Sequence, residues 1–188
     1  MRKGNLFVIS GPSGAGKGTL VSRLLERVPG AWVSISATTR APREGEVDGA
    51  HYLFVDDAEF DRMVEEGGLL EWAQVHDHKY GTPRALVESH MAVGDQVILE
   101  IDVQGGFQIK EKNPDAHLVF IEPPSLDELE RRLRGRGTED EDSIVLRMRN
   151  AELELSRKME YDVRFVNDDV DQATAELVDY VNERAENQ

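Results

Sequence analysis

The chain has 188 residues, enough for one globular unit with a substantial core and inserted lobes but not for two large independent domains. Lys and Arg number 22 against 37 Asp and Glu, a formal charge of −15, which argues against general binding to nucleic acid or to anionic membranes. Cysteine is absent, so disulfide and thiolate chemistry are excluded, a composition that fits a reducing compartment. The apolar run after Met1-Arg2-Lys3 is too short for a signal peptide and no stretch is long enough to span a membrane, so the expected location is cytoplasmic.

In chain order, Leu6-Phe7-Val8-Ile9 reads as a first strand, and Leu20, Val21, Leu24 and Leu25 have helical spacing. Between them stands Gly11-Pro12-Ser13-Gly14-Ala15-Gly16-Lys17-Gly18-Thr19. Strand, glycine-rich turn and helix in this order make a phosphate-binding loop: glycines let backbone N–H groups converge on an anion, and the helix start adds its unpaired N–H groups. Lys17 places a mobile positive charge at the outer phosphates. The strict pattern continues GK with Ser or Thr; here Gly18 intervenes, which makes Thr19 the first candidate for a Mg²⁺ hydroxyl and Ser13 the second.

Pro29-Gly30 ends the helix, and Trp32 to Ser36 reads as a second strand. From Ser36 to Val93 the texture changes to a polar, Pro- and Gly-broken stretch with small elements: Tyr52 to Val55, a helix over about 57–66, Leu69 to Val75, and a helix over about 83–93. This is an inserted lobe. Val97 to Asp102 and His117 to Ile121 are near-continuous apolar runs of the kind parallel strands show when both faces are covered. A charged stretch from Ser125 to Glu160 precedes a last strand, Val163 to Val166, and a helix from about Val170. Strands alternating with helices imply a doubly wound α/β parallel sheet.

Three groups of residues are suited to chemistry. Glu100 and Asp102 lie two apart at the carboxyl end of a core strand, where open α/β sheets bind ligands and where a carboxylate can hold Mg²⁺ directly or through water. Arg131, Arg132, Arg134, Arg136, Arg147 and Arg149 form the main basic concentration, with Gly135 and Gly137 as hinges. Guanidiniums closing over a transferring phosphoryl group neutralise its charge and exclude water. Arg131 and Arg134 read as surface pairs, given Glu128/Arg132 and Glu130/Arg134 at i,i+4, whereas Arg132, Arg136 and Arg147 read as phosphate ligands. In the inserted lobe, Arg40 and Arg43 straddle Pro42 and can grip a second phosphate, although the residues by themselves suit a lid or a partner-binding surface equally well. His76 and His78 lack further nearby ligands for a metal, and Trp32 and Trp72 read as core.

The stretches GPSGAGKGT, SATTRAPREGEVDGAHY, LLEWAQV, KYGTP, LEIDVQG, PPSLDELERRLRGRGTE and FVND closely resemble guanylate kinases, in the family's order and over nearly the whole chain. The resemblance implies a nucleotide-binding core (1–35, 94–124 and 158–188), a GMP-binding lobe (36–93) and a lid (125–157), in the manner of P-loop nucleoside monophosphate kinases. It implies transfer of the γ-phosphoryl group of ATP to GMP, and to dGMP, with Mg²⁺ as cofactor and no nucleic acid or membrane partner. Carried over by position, it gives ATP to Gly11 through Thr19 and Asn167, the last near the adenine end. Ser36, Arg40, Arg43, Tyr52 and Tyr80 go to the GMP phosphate, and Glu71, Thr82 and Asp102 to guanine. Catalysis falls to Lys17, Arg132, Arg136 and Arg147, and the metal to Thr19 and Glu100. Guanine presents N1–H and a 2-amino group as adjacent donors, which one carboxylate accepts as a pair, and a hydroxyl can donate to O6. Related binding modules that hold phosphorylated peptides have eroded loops and lost lid arginines, both retained here. A sugar-phosphate acceptor would leave Glu71, Thr82 and Asp102 without a role.

Overall fold

The computed structural model describes residues 2–75, 77–135 and 140–186. Its centre is a parallel sheet in the order β2-β7-β1-β8-β9, formed by Ala31–Val33, Gln96–Glu100, Asn5–Ser10, His117–Glu122 and Val163–Val166. Side chains alternate along β1: Phe7 and Ile9 pack against α1 (Lys17–Arg27) and α7 (Val170–Glu186), while Leu6 and Val8 face the opposite layer. Leu20, Leu24 and Leu177 are fully buried in the first layer; each such side chain contributes about 1.5–3 kcal/mol. The opposite layer contains α3 (Arg84–Ala92) and α4 (Val103–Lys112), through Val87, Val103 and Ile109.

A second, smaller sheet, β4-β3-β6-β5, is formed by Leu53–Phe54, Ala37–Thr38, His78–Pro83 and Leu69–Val75, with α2 (Asp57–Glu65) against it. Ala37, Phe60 and Leu69 make its own apolar cluster. Asp56 caps α2 by accepting from the Glu59 N–H. Beyond β8, α5 (Leu126–Gly135) and α6 (Glu141–Ser156) pack together through Leu129, Leu133, Met148 and Ala151. A short 3₁₀ turn (Lys158–Glu160) then leads into β9.

The structure corrects the sequence reading at two places and adds two elements to it. The strand expected to reach Ser36 stops at Val33, because the chain leaves the core sheet after the Ser34 N–H bonds to the Ile98 carbonyl and enters the second sheet at Ala37. His78–Pro83 is a strand antiparallel to β5, and the helix expected over about 83–93 follows it as α3, Arg84–Ala92. Val103–Lys112 is a helix that Gly105 and Gly106 hide from propensity-based reading. Trp72 is 39% exposed on the outer strand of the second sheet, not core, and meets Phe60 only edge-on.

Candidate active site

The loop after β1 is shaped by glycine: Gly11, Gly14 and Gly16 have φ of 145°, 90° and 93°, conformations that L side chains avoid. Neighbouring parts of the molecule press on it from below. A Cβ at Gly11 would lie 2.2 Å from the Ile121 carbonyl oxygen, and one at Gly14 would lie 3.0 Å from Leu129 of α5. Lys17 donates its ammonium to the carbonyls of Gly11 and, at 3.1 Å, Pro12, folding back over the loop. Ser13, Gly14, Gly16, Lys17, Gly18 and Thr19 line a cleft of about 310 Å³ together with Glu100, whose Oε1 faces Gly18. Pro12 and Ala15 are buried in the turn itself, where the Ala15 N–H donates to the Pro12 carbonyl.

The arginines of α5 and α6 take different partners. Arg147 on α6 donates to the Ser13 hydroxyl at 2.7 Å. Arg132 on α5 donates to Glu128 and, at 3.0 Å, to the main-chain carbonyl of Asn167. Arg131 and Arg134 are held by Glu128, Glu130 and Glu141 as exposed pairs. Arg136 and His76 fall outside the described residues, and with them a lid contribution and half of the His76/His78 pair. Asn167, expected near the adenine end, is buried beneath the loop and donates to the Ala15 carbonyl at 2.8 Å.

The second sheet presents the other phosphate-binding candidates. Arg40, 5.3 Å above the Tyr52 ring, donates to Glu46 at 2.8 Å and to the Ala41 carbonyl at 2.7 Å. Glu46 also accepts from the Arg43 N–H at 2.7 Å. The Arg40 guanidinium, followed by the Arg43 N–H, holds the Glu46 carboxyl down to about 2, and Glu46 in turn raises Arg40. Tyr80 stands edge-on to Tyr52 at 6.2 Å, and the Arg43 side chain is exposed.

Glu71 and Thr82 face each other across β5 and β6, both buried, with the Thr82 hydroxyl donating to Glu71 Oε1 at 2.6 Å. Burial raises the Glu71 carboxyl; the Thr82 bond opposes this and the Asp102 charge adds to it. Asp102 caps α4 through the Gly105 N–H at 2.8 Å. A Cβ at Gly105 would sit 3.3 Å from Glu71 Oε2 and 3.4 Å from Asp102 Oδ1, so this glycine lets the two carboxylates converge. Ser36, Tyr52, Tyr80, Glu71 and Asp102 share a pocket of about 190 Å³ with Glu100.

The sequence reading missed Glu154. It lies on α6 and lines a cavity of about 270 Å³ with Asp102, Gln104 and Asn150. Its burial raises its carboxyl to about 7 despite the opposing charge of Lys17. Its position seven residues after Arg147, two helical turns on the same face, is the signal that marks it.

A parallel sheet with a glycine loop and lysine at the end of its central strand, facing arginines from a separate helical pair, defines a P-loop phosphotransferase. Comparison with known proteins narrows the class. The guanylate kinase family model matches residues 3–184. The guanylate kinase of Parasynechococcus marenigrum (strain WH8102) is 55% identical over 174 residues, covering 93% of this chain and 96% of the relative. That of Synechocystis sp. (strain ATCC 27184 / PCC 6803 / Kazusa) is 52% identical over 181 residues, covering 96% and 95%. The crystal structure of guanylate kinase from Anaplasma phagocytophilum superposes with a TM-score of 0.78 at 32% identity, covering 100% of this chain and 89% of that one. The chain belongs to the guanylate kinase family.

Proposed function

We propose that this chain transfers the γ-phosphoryl group of ATP to GMP or dGMP, giving ADP and GDP or dGDP. The observation that carries the reading is the position of Glu100, which lines both the cleft of the glycine loop and the pocket of Glu71 and Asp102. Donor and acceptor sites therefore adjoin. The phosphorus–oxygen bond to the leaving ADP breaks as a GMP phosphate oxygen, nucleophilic without deprotonation, forms the new one. Catalysis is alignment and charge neutralisation by Lys17, Arg132, Arg136 and Arg147, with no covalent intermediate.

On the acceptor side, Arg40, Arg43, Ser36, Tyr52 and Tyr80 hold the GMP phosphate. Glu71 accepts the guanine N1–H and 2-amino pair, which favours its ionised form and opposes the upward shift that burial causes. Asp102 shares the amino group. Thr82, whose proton is committed to Glu71, orients that carboxylate and can turn to guanine O6.

Thr19 and Glu100 are oxygen donors in one cleft beside Lys17, a set that fits Mg²⁺, which takes few protein ligands beside phosphate oxygens and water. When bound, Mg²⁺ supplies further neutralisation of phosphate charge. The partners of this reading are the small-molecule substrates ATP and GMP. No helix among the described residues is long and apolar enough to cross a membrane, and a cytoplasmic location accords with the reaction.

The test is ADP release with Mg-ATP and, in turn, GMP, dGMP, AMP, UMP, CMP and a sugar phosphate. Release with GMP and dGMP alone is the expected result. Release only with the sugar phosphate would overturn the guanine site, and silence with all acceptors from folded, ATP-binding protein would overturn the kinase reading.

A further inference from the structure

We propose that Asn167 is a positioning residue of the donor site, which aims the glycine loop at phosphate with its side chain and stations Arg132 with its main chain. The inference rests on the reading that ATP phosphates occupy the loop, and it gives Asn167 no contact with the base. Asn167 is 6% exposed, and its amide is used within the protein: Nδ2 donates to the Ala15 carbonyl at 2.8 Å. Across a trans peptide the carbonyl and the following N–H point in opposite directions. Holding the Ala15 carbonyl down toward Asn167 thus turns the Gly16 N–H the other way, toward the cleft that Gly16 and Lys17 line.

Gly16 shows how closely the amide is fitted. A Cβ there would lie 2.2 Å from Asn167 Nδ2, so only glycine admits the bond. The Asn167 main chain is equally committed. Its N–H donates to the Glu122 carbonyl at 2.8 Å, and its carbonyl accepts from Arg132 Nη2 at 3.0 Å. One buried residue therefore touches both the glycine loop and Arg132, to which the proposed function gives a catalytic role.

The experiment compares binding of inorganic tripolyphosphate, which has no base, with binding of ATP by calorimetry, in wild-type protein, Asn167→Ala and the isosteric Asn167→Asp. Loss of the loop bond should weaken both ligands by the same factor, about tenfold for Asn167→Ala, the cost of a buried hydrogen bond, and more for Asn167→Asp, which cannot donate. The KM for GMP should not move. Weakening confined to ATP would overturn the proposal in favour of a base contact, and unchanged binding of both ligands would reduce Asn167 to packing. Should neither variant fold, the wild-type protein still decides: the Asn167 side-chain amide resonances should respond alike to tripolyphosphate and to ATP, and a response to ATP alone overturns the assignment. Wild-type protein that binds neither ligand would overturn the donor-site reading itself, and this proposal with it.

Discussion

The loop at Gly11–Thr19 and the pocket around Arg40 are both suited to a phosphate but are built from different material. The loop is contiguous backbone, with φ angles set by glycine and its underside fixed by Asn167 and Leu129. Its N–H groups carry no net charge that another part of the protein must balance. The pocket draws side chains from separated segments between Ser36 and Asp102, and the Arg40 guanidinium set over its Tyr52 is already paired with Glu46. A backbone site is ready when the fold is complete, whereas a side-chain site must exchange internal partners for its ligand. The loop should therefore respond to substitution in turnover, and the pocket in acceptor affinity.

The sharpest test of that contrast is Lys17→Ala, expected to lower kcat by about 10²–10³-fold, the scale of removing one charge-stabilising donor, with the melting temperature little changed. Near-normal turnover would place the charge stabilisation elsewhere. Next is Glu71→Gln, which on the proposed reading leaves a guanine donor facing an amide N–H in a buried site. KM for GMP should rise by about 10–100-fold with KM for ATP unchanged. An equal rise for both would mean that Glu71 supports the fold, not base choice.

The same contrast explains what the sequence alone reveals. The loop is legible because its chemistry follows from adjacent residues, Gly11 through Thr19, between a strand and a helix. The pairing of Arg134 with Glu130 is legible from i,i+4 spacing alone. The arginines of the inserted lobe and the Glu100/Asp102 pair are legible from the residues, but the guanine side of the pocket is legible only by resemblance, since Glu71 meets Thr82 through the register of β5 against β6, and β6 has no strand signature in His78-Lys79-Tyr80-Gly81-Thr82-Pro83. Helix α4 stayed hidden because the glycines that lower its propensity are what let Glu71 and Asp102 approach at Gly105 and Tyr161 at Gly106. Asn167 carried no sign of its place under the loop, a contact made 152 residues along the chain from Ala15.

A smaller effect is expected at Glu46. Glu46→Ala frees Arg40 from one orienting partner and should raise KM for GMP by about 3–10-fold, as for one charged hydrogen bond, leaving kcat and KM for ATP in place. The pH dependence has a definite sign. With its carboxyl held down to about 2 in the folded chain against an ordinary 4.5, Glu46 contributes stability that is present above 4.5 and is lost as pH falls toward 2. In acid unfolding followed by circular dichroism, Glu46→Ala should therefore lose less stability than the wild type as pH falls from 4.5 toward 2, and equal losses would mean that the pair forms no part of the folded state.

The smallest effect belongs to Glu154, where the sign is opposite. Its carboxyl is raised from 4.5 to about 7 by burial, with Lys17 opposing the shift and Asp102 adding to it, and it stands near Tyr161 as well. The folded chain thus binds a proton that the unfolded chain has released, so stability falls as pH rises from 4.5 through 7. Glu154→Gln removes the ionisation while keeping the shape. Its melting temperature should match the wild type near pH 4.5 and exceed it at pH 8 by roughly 2 °C, the scale of a weak destabilisation in a chain of this size. Parallel curves across the whole range would mean that Glu154 does not titrate there. Because the Lys17 charge opposes the shift, replacing Lys17 as well should widen the divergence, and a divergence left unchanged would mean that the charge of Lys17 does not reach α6.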